Sequence, residues 1–474
     1  MIHYVEQFLQ GMRPAFSRQA AFVWFAVVMV GFLIRTDTLG VSSIVRALFL
    51  SPSSYPCVIH FFHSTAWEVD RLMGYWWRWV ARESFAYQVG DRIVLVGDHT
   101  KVPKDGRKMP AVTTLHQDSE TASKPGFFRG HMWGCISQLM TNGKKYWSIP
   151  LLAHIHQGVE FLQAANHSPD TLTTRVVRMA QQIAQEMGVK AYLVLDAFFA
   201  VGPVFWEAAQ NREGETNRIH ILTRAKKNVT AYQPAPQPRS VSRGRPRQYG
   251  KKLKLVKLFE DPKWTSQFQK TEVLLYQKKE TIRYLTLDLL WKPIKGLVRF
   301  YLFETSRGRI ILMTSDRSLD PLTALHLYEK RVTIETMFDT LKNVMGGVEY
   351  HFWSSPLPPT SRRPSRNNSP RPQSTRPELT RNTFHAIEKF VNVQLLALGF
   401  LQLLAARFPS QIWATSKCWL RTFTHETPSE FVTRTALMNI IRCNLFGFSK
   451  NWITQLIRNK QNLSNNPEIL DKTG

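Results

Sequence analysis

Two short apolar runs set the frame of this chain. Residues 92–96 (Arg-Ile-Val-Leu-Val) lead into Gly97-Asp98, and residues 191–195 (Ala-Tyr-Leu-Val-Leu) lead into Asp196. Short apolar runs closed by turn residues are the pattern of strands buried on both faces. Between them, apolar positions recur at helical spacing over 168–187, and Gly188 supplies a stop. Strands alternating with helices predict an α/β core. Residues 1–88 read as helical. Trp67, Leu72, Trp76 and Val80 form a stripe of the kind that faces a core, and the Ser/Pro-rich stretch 51–56 interrupts the pattern. Strand-like runs at 272–276, 282–290, 297–303 and 309–314 predict a β-rich insertion across 205–316. Asp320-Pro321 opens a helix, as an N-cap followed by proline in the first turn; the pattern runs to Asn343 and stops before Gly346-Gly347. Helical character resumes over 384–408, apolar almost all round and therefore expected to be buried.

Two segments break the pattern. Residues 20–34 are uncharged and apolar between Arg18 and Arg35. A membrane span needs about 20 apolar residues, so this shorter run is expected to be a core helix. Residues 354–383 are rich in Pro, Ser and Arg with Glu378 as the one carboxylate, a composition that reads as a linker. The expected layout is a helical DNA-binding region over 1–88, a first core segment over 89–204, the insertion over 205–316 and a second core segment over 317–353. The linker over 354–383 and a helical region over 384–474 complete it.

Composition narrows the partner. Hydrophobic residues make up 43% of the 474, enough for a large core, but Lys plus Arg number 62 against 35 acidic residues, a net charge of +27. Charge of that size favours a polyanion, because neutralising phosphates releases condensed counterions. The four cysteines, Cys57, Cys135, Cys418 and Cys443, have no metal-ligand or disulfide-scaffold spacing and suit a reducing cytoplasm.

The candidate chemistry lies in carboxylates. Asp98 and Asp196 each stand at the end of an apolar strand, where a carboxylate needs a cationic partner or serves as a turn or N-cap residue. Hard oxygen ligands on neighbouring strands are what magnesium requires. In the helix after Asp320, Tyr328, Arg331, Glu335 and Lys342 fall within one stripe roughly 60° wide at about 100° per residue. Ile334, Phe338, Leu341 and Met345 form a separate apolar stripe that would face the core. A charged stripe is also what a solvated helix face looks like. His154-Ile155-His156 lacks a third ligand and reads as packing. The basic stretch 239–247, with Arg243, Arg245 and Arg247, reads as a DNA-contacting loop or as a solvated one.

The spacing Tyr328-x2-Arg331-x3-Glu335-x6-Lys342 resembles the signature of DDE-class transposases of bacterial insertion sequences. Val96-Gly97-Asp98-His99-Thr100, followed by Lys101 and Lys104, resembles the family's first Asp motif, and Leu193-Val194-Leu195-Asp196 the second. Gly244-Arg245-Pro246-Arg247 and His351-Phe352-Trp353 before the leucine-rich helix are similar to other family segments. The likeness spans about residues 90–410; the Pro/Arg-rich stretch 354–383 departs from it. The resemblance implies an RNase H-like core with Asp98 on its first strand and Asp196 on its fourth, interrupted by a β insertion before Glu335. It implies two Mg2+ ions, with Mn2+ as a substitute, held by Asp98, Asp196 and Glu335. It further implies a cytoplasmic, nucleoid-associated enzyme, a homodimer on DNA, with no membrane partner. Such an enzyme cleaves transposon-end DNA and joins the 3′-hydroxyl to target DNA by cut-and-paste transposition. Tyr328, Arg331 and Lys342 would contact phosphates. Some relatives stack a flipped base on a Trp of the insertion, for which Trp264 and Trp291 are candidates, with core packing as the ordinary role of either. The alternative is a domesticated or catalytically lost transposase acting as a DNA-binding protein.

Overall fold

The computed structural model describes residues 1–117, 126–157, 171–210, 218–236, 247–363, 374–416, 419, 426–447 and 450–461. Its centre is one sheet of 13 strands. In chain order these are β1 (Gln88–Val89), β2 (Arg92–Pro103), β3 (Thr113–His116), β4 (Phe127–Thr141), β5 (Tyr146–Ile155), β6 (Lys190–Leu195), β7 (Ile219–Arg224), β8 (Thr230–Pro234), β9 (Tyr249–Lys254), β10 (Gln269–Leu275), β11 (Lys278–Trp291), β12 (Gly296–Thr305) and β13 (Gly308–Thr314). β5, β4 and β2 are antiparallel neighbours, and β2, β6 and β7 run parallel. From β7 the same sheet continues antiparallel through β13, β12, β11, β8 and β9. The chain therefore leaves β2 in one direction, to β4 and β5, and later returns on its other side at β6. Such a switch point leaves a crevice at the carboxyl ends of the strands.

Helices cover both faces. Helix Leu172–Glu186 starts at a Thr171 capping box with Thr174 and ends before Gly188 in the left-handed region at φ +66. It packs over β2, β4, β6 and β7. Gly97 faces it: a Cβ there would stand 2.8 Å from both Val176 and Leu195, so only glycine lets the helix this close. Side chains alternate along a strand, so Asp98 points to the opposite face, where the helix carrying Arg331 and Glu335 lies.

The apolar run 20–34 forms helix Gln19–Ile34, and every residue from Phe25 to Leu33 except Gly31, with Ile34, is a fully buried member of the core. It packs against helix Pro377–Arg407. That is the one described helix long and apolar enough to cross a membrane, and 94% of its apolar window is buried inside the protein. Trp67, Leu72, Trp76 and Val80 are buried as expected. Trp76 and Trp77 also donate from their indoles to the carbonyls of Pro150 and Leu151, both at 2.8 Å. Those carbonyls lie at an irregularity in the β4–β5 register, so the two indoles satisfy backbone that the ladder leaves unpaired.

Three boundaries differ from the sequence reading. A division at residue 204 falls between β6 and β7, which are hydrogen-bonded parallel partners. The strands expected at 272–314 are present, and they extend the core sheet through β13 and β7. The long helix begins at Pro377, seven residues before the expected start, so 377–383 belong to it. Residues 354–363 of the expected linker are pinned to the loop after β2, with Ser354 and Leu357 buried; residues 364–373 lie outside the described residues.

Candidate active site

Asp98 lies inside β2 rather than at its end. Pairing with β6 stops at Val96, whereas pairing with β4 continues to Pro103, so β2 stays extended while one edge opens. Asp98 stands on that open edge, two residues past the last parallel pair. Asp196 follows β6 directly and caps the short turn Ala197–Phe199, accepting from the Phe198 amide at 3.0 Å. The Thr223 hydroxyl of β7 donates to the Asp196 carbonyl at 2.5 Å, which holds the strand end in place. The N-cap role considered for such an aspartate is thus real.

Arg331 joins the separate pieces. Its guanidinium donates to Asp98 Oδ2 at 3.1 Å and to Glu335 Oε1 at 2.5 Å. The Arg331 and Asp98 side chains are each 17% exposed, and Glu335 is 52% exposed. Despite this cation, burial pushes the Asp98 carboxyl up to about 6, and the neighbouring Asp196 and Glu335 add to the rise. The His99 amide, which donates to Asp98 Oδ1 at 2.7 Å, and Arg331 pull the other way and lose. Asp196 is also raised, chiefly by burial, with Glu335 adding to it. One positive group therefore faces three carboxylates in a partly dehydrated crevice.

The helix that presents Arg331 and Glu335 is built in three pieces, Pro321–Lys330, Val332–Asp339 and a π turn over Thr340–Val344. Asp320 caps it through the Thr323 amide at 2.8 Å. Ile334, Phe338, Leu341 and Met345 are buried, so the expected apolar stripe faces the core. π turns are frequent at functional sites, and the extra residue shifts the helical phase of the side chains after it. Here Lys342, inside the turn, aims its ammonium at the Lys101 carbonyl of β2, 3.2 Å away, rather than at the carboxylates. Beyond the turn, three buried cations collect the carbonyls of the helix end. Arg35 donates to Met345 and Gly346 at 2.6 and 3.1 Å, Arg434 to Val344 at 2.6 Å, and Lys104 to Val348 at 2.6 Å. Cations at a helix carboxyl end meet both its unpaired carbonyls and its dipole. Gly346, at φ +60, makes the reversal.

Of the residues singled out from sequence, Asp98, Asp196, Arg331 and Glu335 come together. Tyr328 stands beside them, its ring 5.9 Å from the Arg331 guanidinium, with burial raising its hydroxyl. Lys342 lies farther along β2. Arg243 and Arg245 lie outside the described residues, and Arg247 is exposed. Trp264 and Trp291 are 8% and 5% exposed and pack as core residues. His154 pairs with the buried Glu388 at 3.1 Å, a packing role. The contribution of Arg224 escaped the sequence reading, and His99 entered it only as part of the first Asp motif. Arg224, at the end of β7, lies within electrostatic reach of the Tyr328 hydroxyl. His99 donates from Nε2 to the Leu172 carbonyl at 3.1 Å and stacks on Phe199 with centroids 5.0 Å apart, tying the Asp98 strand to the turn after Asp196. Burial lowers the His99 ring to about 4, so it is neutral. Neither has a spacing signal, because both depend on which strands are neighbours.

The donor set suits a hard divalent cation: carboxylate oxygens only, with negative charge in excess of the one guanidinium. Among the described residues no three His, Cys, Asp or Glu side chains are grouped as metal ligands, and Arg331 bridges Asp98 and Glu335. Cation and guanidinium are thus alternatives for the same oxygens.

Comparison with known families finds a match over residues 159–351 to the model described as a transposase DDE domain. The matched stretch contains Asp196, Tyr328, Arg331, Glu335 and Lys342 and begins after Asp98. No curated protein matches the chain.

Proposed function

We propose that this chain, which carries a transposase DDE domain, is the cut-and-paste transposase of an insertion sequence, cleaving transposon ends and joining the freed 3′-hydroxyl to target DNA. The observation that supports this reading is the pairing of Asp98 and Glu335, from distant stretches of chain, with one guanidinium, and the electrostatic coupling of Asp196 to all three groups near the switch point of the sheet. The strand order β5-β4-β2-β6-β7, three antiparallel then parallel, supports an RNase H-like core with Asp98 on its first strand and Asp196 on its fourth. Strands β8 to β13 would then be the insertion.

Asp98, Asp196 and Glu335 would hold Mg2+, which when bound supplies Lewis-acid activation of the attacking oxygen and stabilises the leaving one in an in-line displacement. The chain's own groups position the phosphate. Arg331, freed from the carboxylates, offers a fork suited to bidentate contact with phosphate oxygens. Arg224 and the Tyr328 hydroxyl stand at the same crevice as a further cation and donor. Lys342 would meet a phosphate farther along β2, and Arg243, Arg245 and Arg247 would reach the flanking duplex. The half-buried setting strengthens every one of these contacts relative to water. A dimer on DNA would bring two ends together.

The test uses Asp98→Asn, Asp196→Asn and Glu335→Gln in the full chain with a labelled end-containing duplex. Each is expected to lower cleavage by roughly 10³-fold or more while end binding persists. Normal cleavage by any one variant would remove that carboxylate from the site. A wild-type chain that binds ends and never cuts them would be a DNA-binding derivative instead.

A further inference from the structure

The Pro/Ser/Arg-rich segment is the one strong sequence feature that the catalytic reading leaves unused. Its described parts are held by backbone contacts. The Ser354 amide donates to the Lys108 carbonyl at 3.0 Å, and the Thr360 amide and hydroxyl donate to the Arg107 carbonyl at 2.9 and 3.0 Å. The Thr375 amide donates to the Pro356 carbonyl at 3.3 Å, and the hydroxyls of Ser354 and Thr380 lie 3.1 Å apart. Leu357 is buried as an apolar anchor. Both ends of the segment are therefore fastened to each other and to the loop after β2.

This pinning decides where the charge goes. Arg362, Arg363, Arg376 and Arg381 are exposed, and among the described residues none of the four forms an ion pair. Arg107 and Lys108 add two more cations, whose side chains donate to the carbonyls of Thr360 and Ser355. Trp353, at the start of the strap, is 65% exposed. Asp105 and Glu378 are the carboxylates of these stretches. A solvated charge run would need no such fastening. Backbone already fastened at residues 354–360 and 375 loses little further entropy when the neighbouring arginines engage a partner. Its bonds run to Arg107 and Lys108, in the loop that follows β2, the strand that carries Asp98.

We propose that the exposed arginines Arg362, Arg363, Arg376 and Arg381 grip the phosphate backbone of duplex DNA without reading its sequence. The proposal rests on the transposase reading for its duplex and adds a surface that the DDE core does not include. Arg362, Arg363 and Arg376 on the fastened segment and Arg381 in the first turns of the helix that follows suit phosphate oxygens, and each phosphate neutralised releases counterions.

The experiment measures binding of a duplex without transposon-end sequence across a salt series, using the full chain and its R362Q/R363Q/R376Q/R381Q variant. The log–log salt slope is expected to fall by about 3 to 4, and affinity at low salt by at least about tenfold. The corresponding four Arg→Lys changes should retain most of the slope, since counterion release counts charges. R362Q/R363Q alone should lose about 2 of it, which keeps the test usable should the fourfold variant fold poorly. An unmoved slope in a wild-type background that binds and cleaves DNA overturns the strap and leaves the catalytic reading intact. Failure of the wild-type chain to bind any duplex overturns both. A loss seen on phosphatidylglycerol vesicles but not on DNA would overturn the strap as a DNA contact.

Discussion

Asp98→Asn should stabilise the metal-free protein while abolishing catalysis. Burial and the neighbouring carboxylates lift the Asp98 carboxyl from an ordinary 3.8 to about 6. A rise of that size is about 3 kcal/mol against the charged folded form. The folded state holds this proton more tightly than the unfolded chain does. The group's contribution is therefore fully present below about pH 4 and lost as pH rises through about 6. Asparagine keeps the shape and removes the charge. In chelator at about pH 7.5 the variant should be more stable by about 3 kcal/mol, and near pH 4 the difference should vanish. Unfolding entropy scales with length, so for a chain of this size each kcal/mol moves Tm by only about 1 °C, and the expected gain is about 3 °C. Thermal melts of both proteins across that pH range check it. Excess Mg2+ should narrow the gap, because only wild type gains a full ligand set. A variant no more stable than wild type at neutral pH, or a gap that persists in acid, would show that the carboxylate is not held at an energetic cost.

Two further predictions concern how the Glu335 helix is held. Arg35→Met removes a buried guanidinium that donates to the carbonyls of Gly40, Met345 and Gly346 and to the Ser43 hydroxyl. Leaving those acceptors unpaired should cost about 3–5 kcal/mol, read as a lower Tm and weaker cleavage in the same variant. Gly346→Ala places a Cβ 2.4 Å from Thr38 Cβ on a backbone at φ +60, whereas Gly188→Ala at φ +66 meets nothing within 4 Å. The second should cost about 1–2 kcal/mol from backbone strain alone and the first clearly more, a contrast that paired denaturant melts measure.

Much of the site was legible because its parts are local. The Tyr328 to Lys342 spacing needs only helical geometry, and the apolar stripe beside it orients Arg331 and Glu335 toward the crevice. The strands before Asp98 and Asp196 announce themselves by apolar runs, as do β10 to β13. Lys342 shows the limit of the same logic. It lies in a π turn and donates to the Lys101 carbonyl of β2, and no spacing rule places either the turn or that partner.

The sequence by itself pointed to the local conformation of several elements, among them β2, β6, β10 to β13 and the Glu335 helix, and to the candidate carboxylates, since both follow from side-chain periodicity and residue type. Only the tertiary structure decided which strands are neighbours. That choice puts Asp98 on an open edge in mid-strand, joins β13 to β7, and brings Arg224 and His99 to the site. It also decided that Arg35, 310 residues from Met345, holds the Glu335 helix, and that a stretch with the composition of a linker is fastened to the loop after β2. These outcomes rest on hydrogen bonds and charge pairs between distant segments, whose energies depend on burial and geometry that no single stretch of chain encodes.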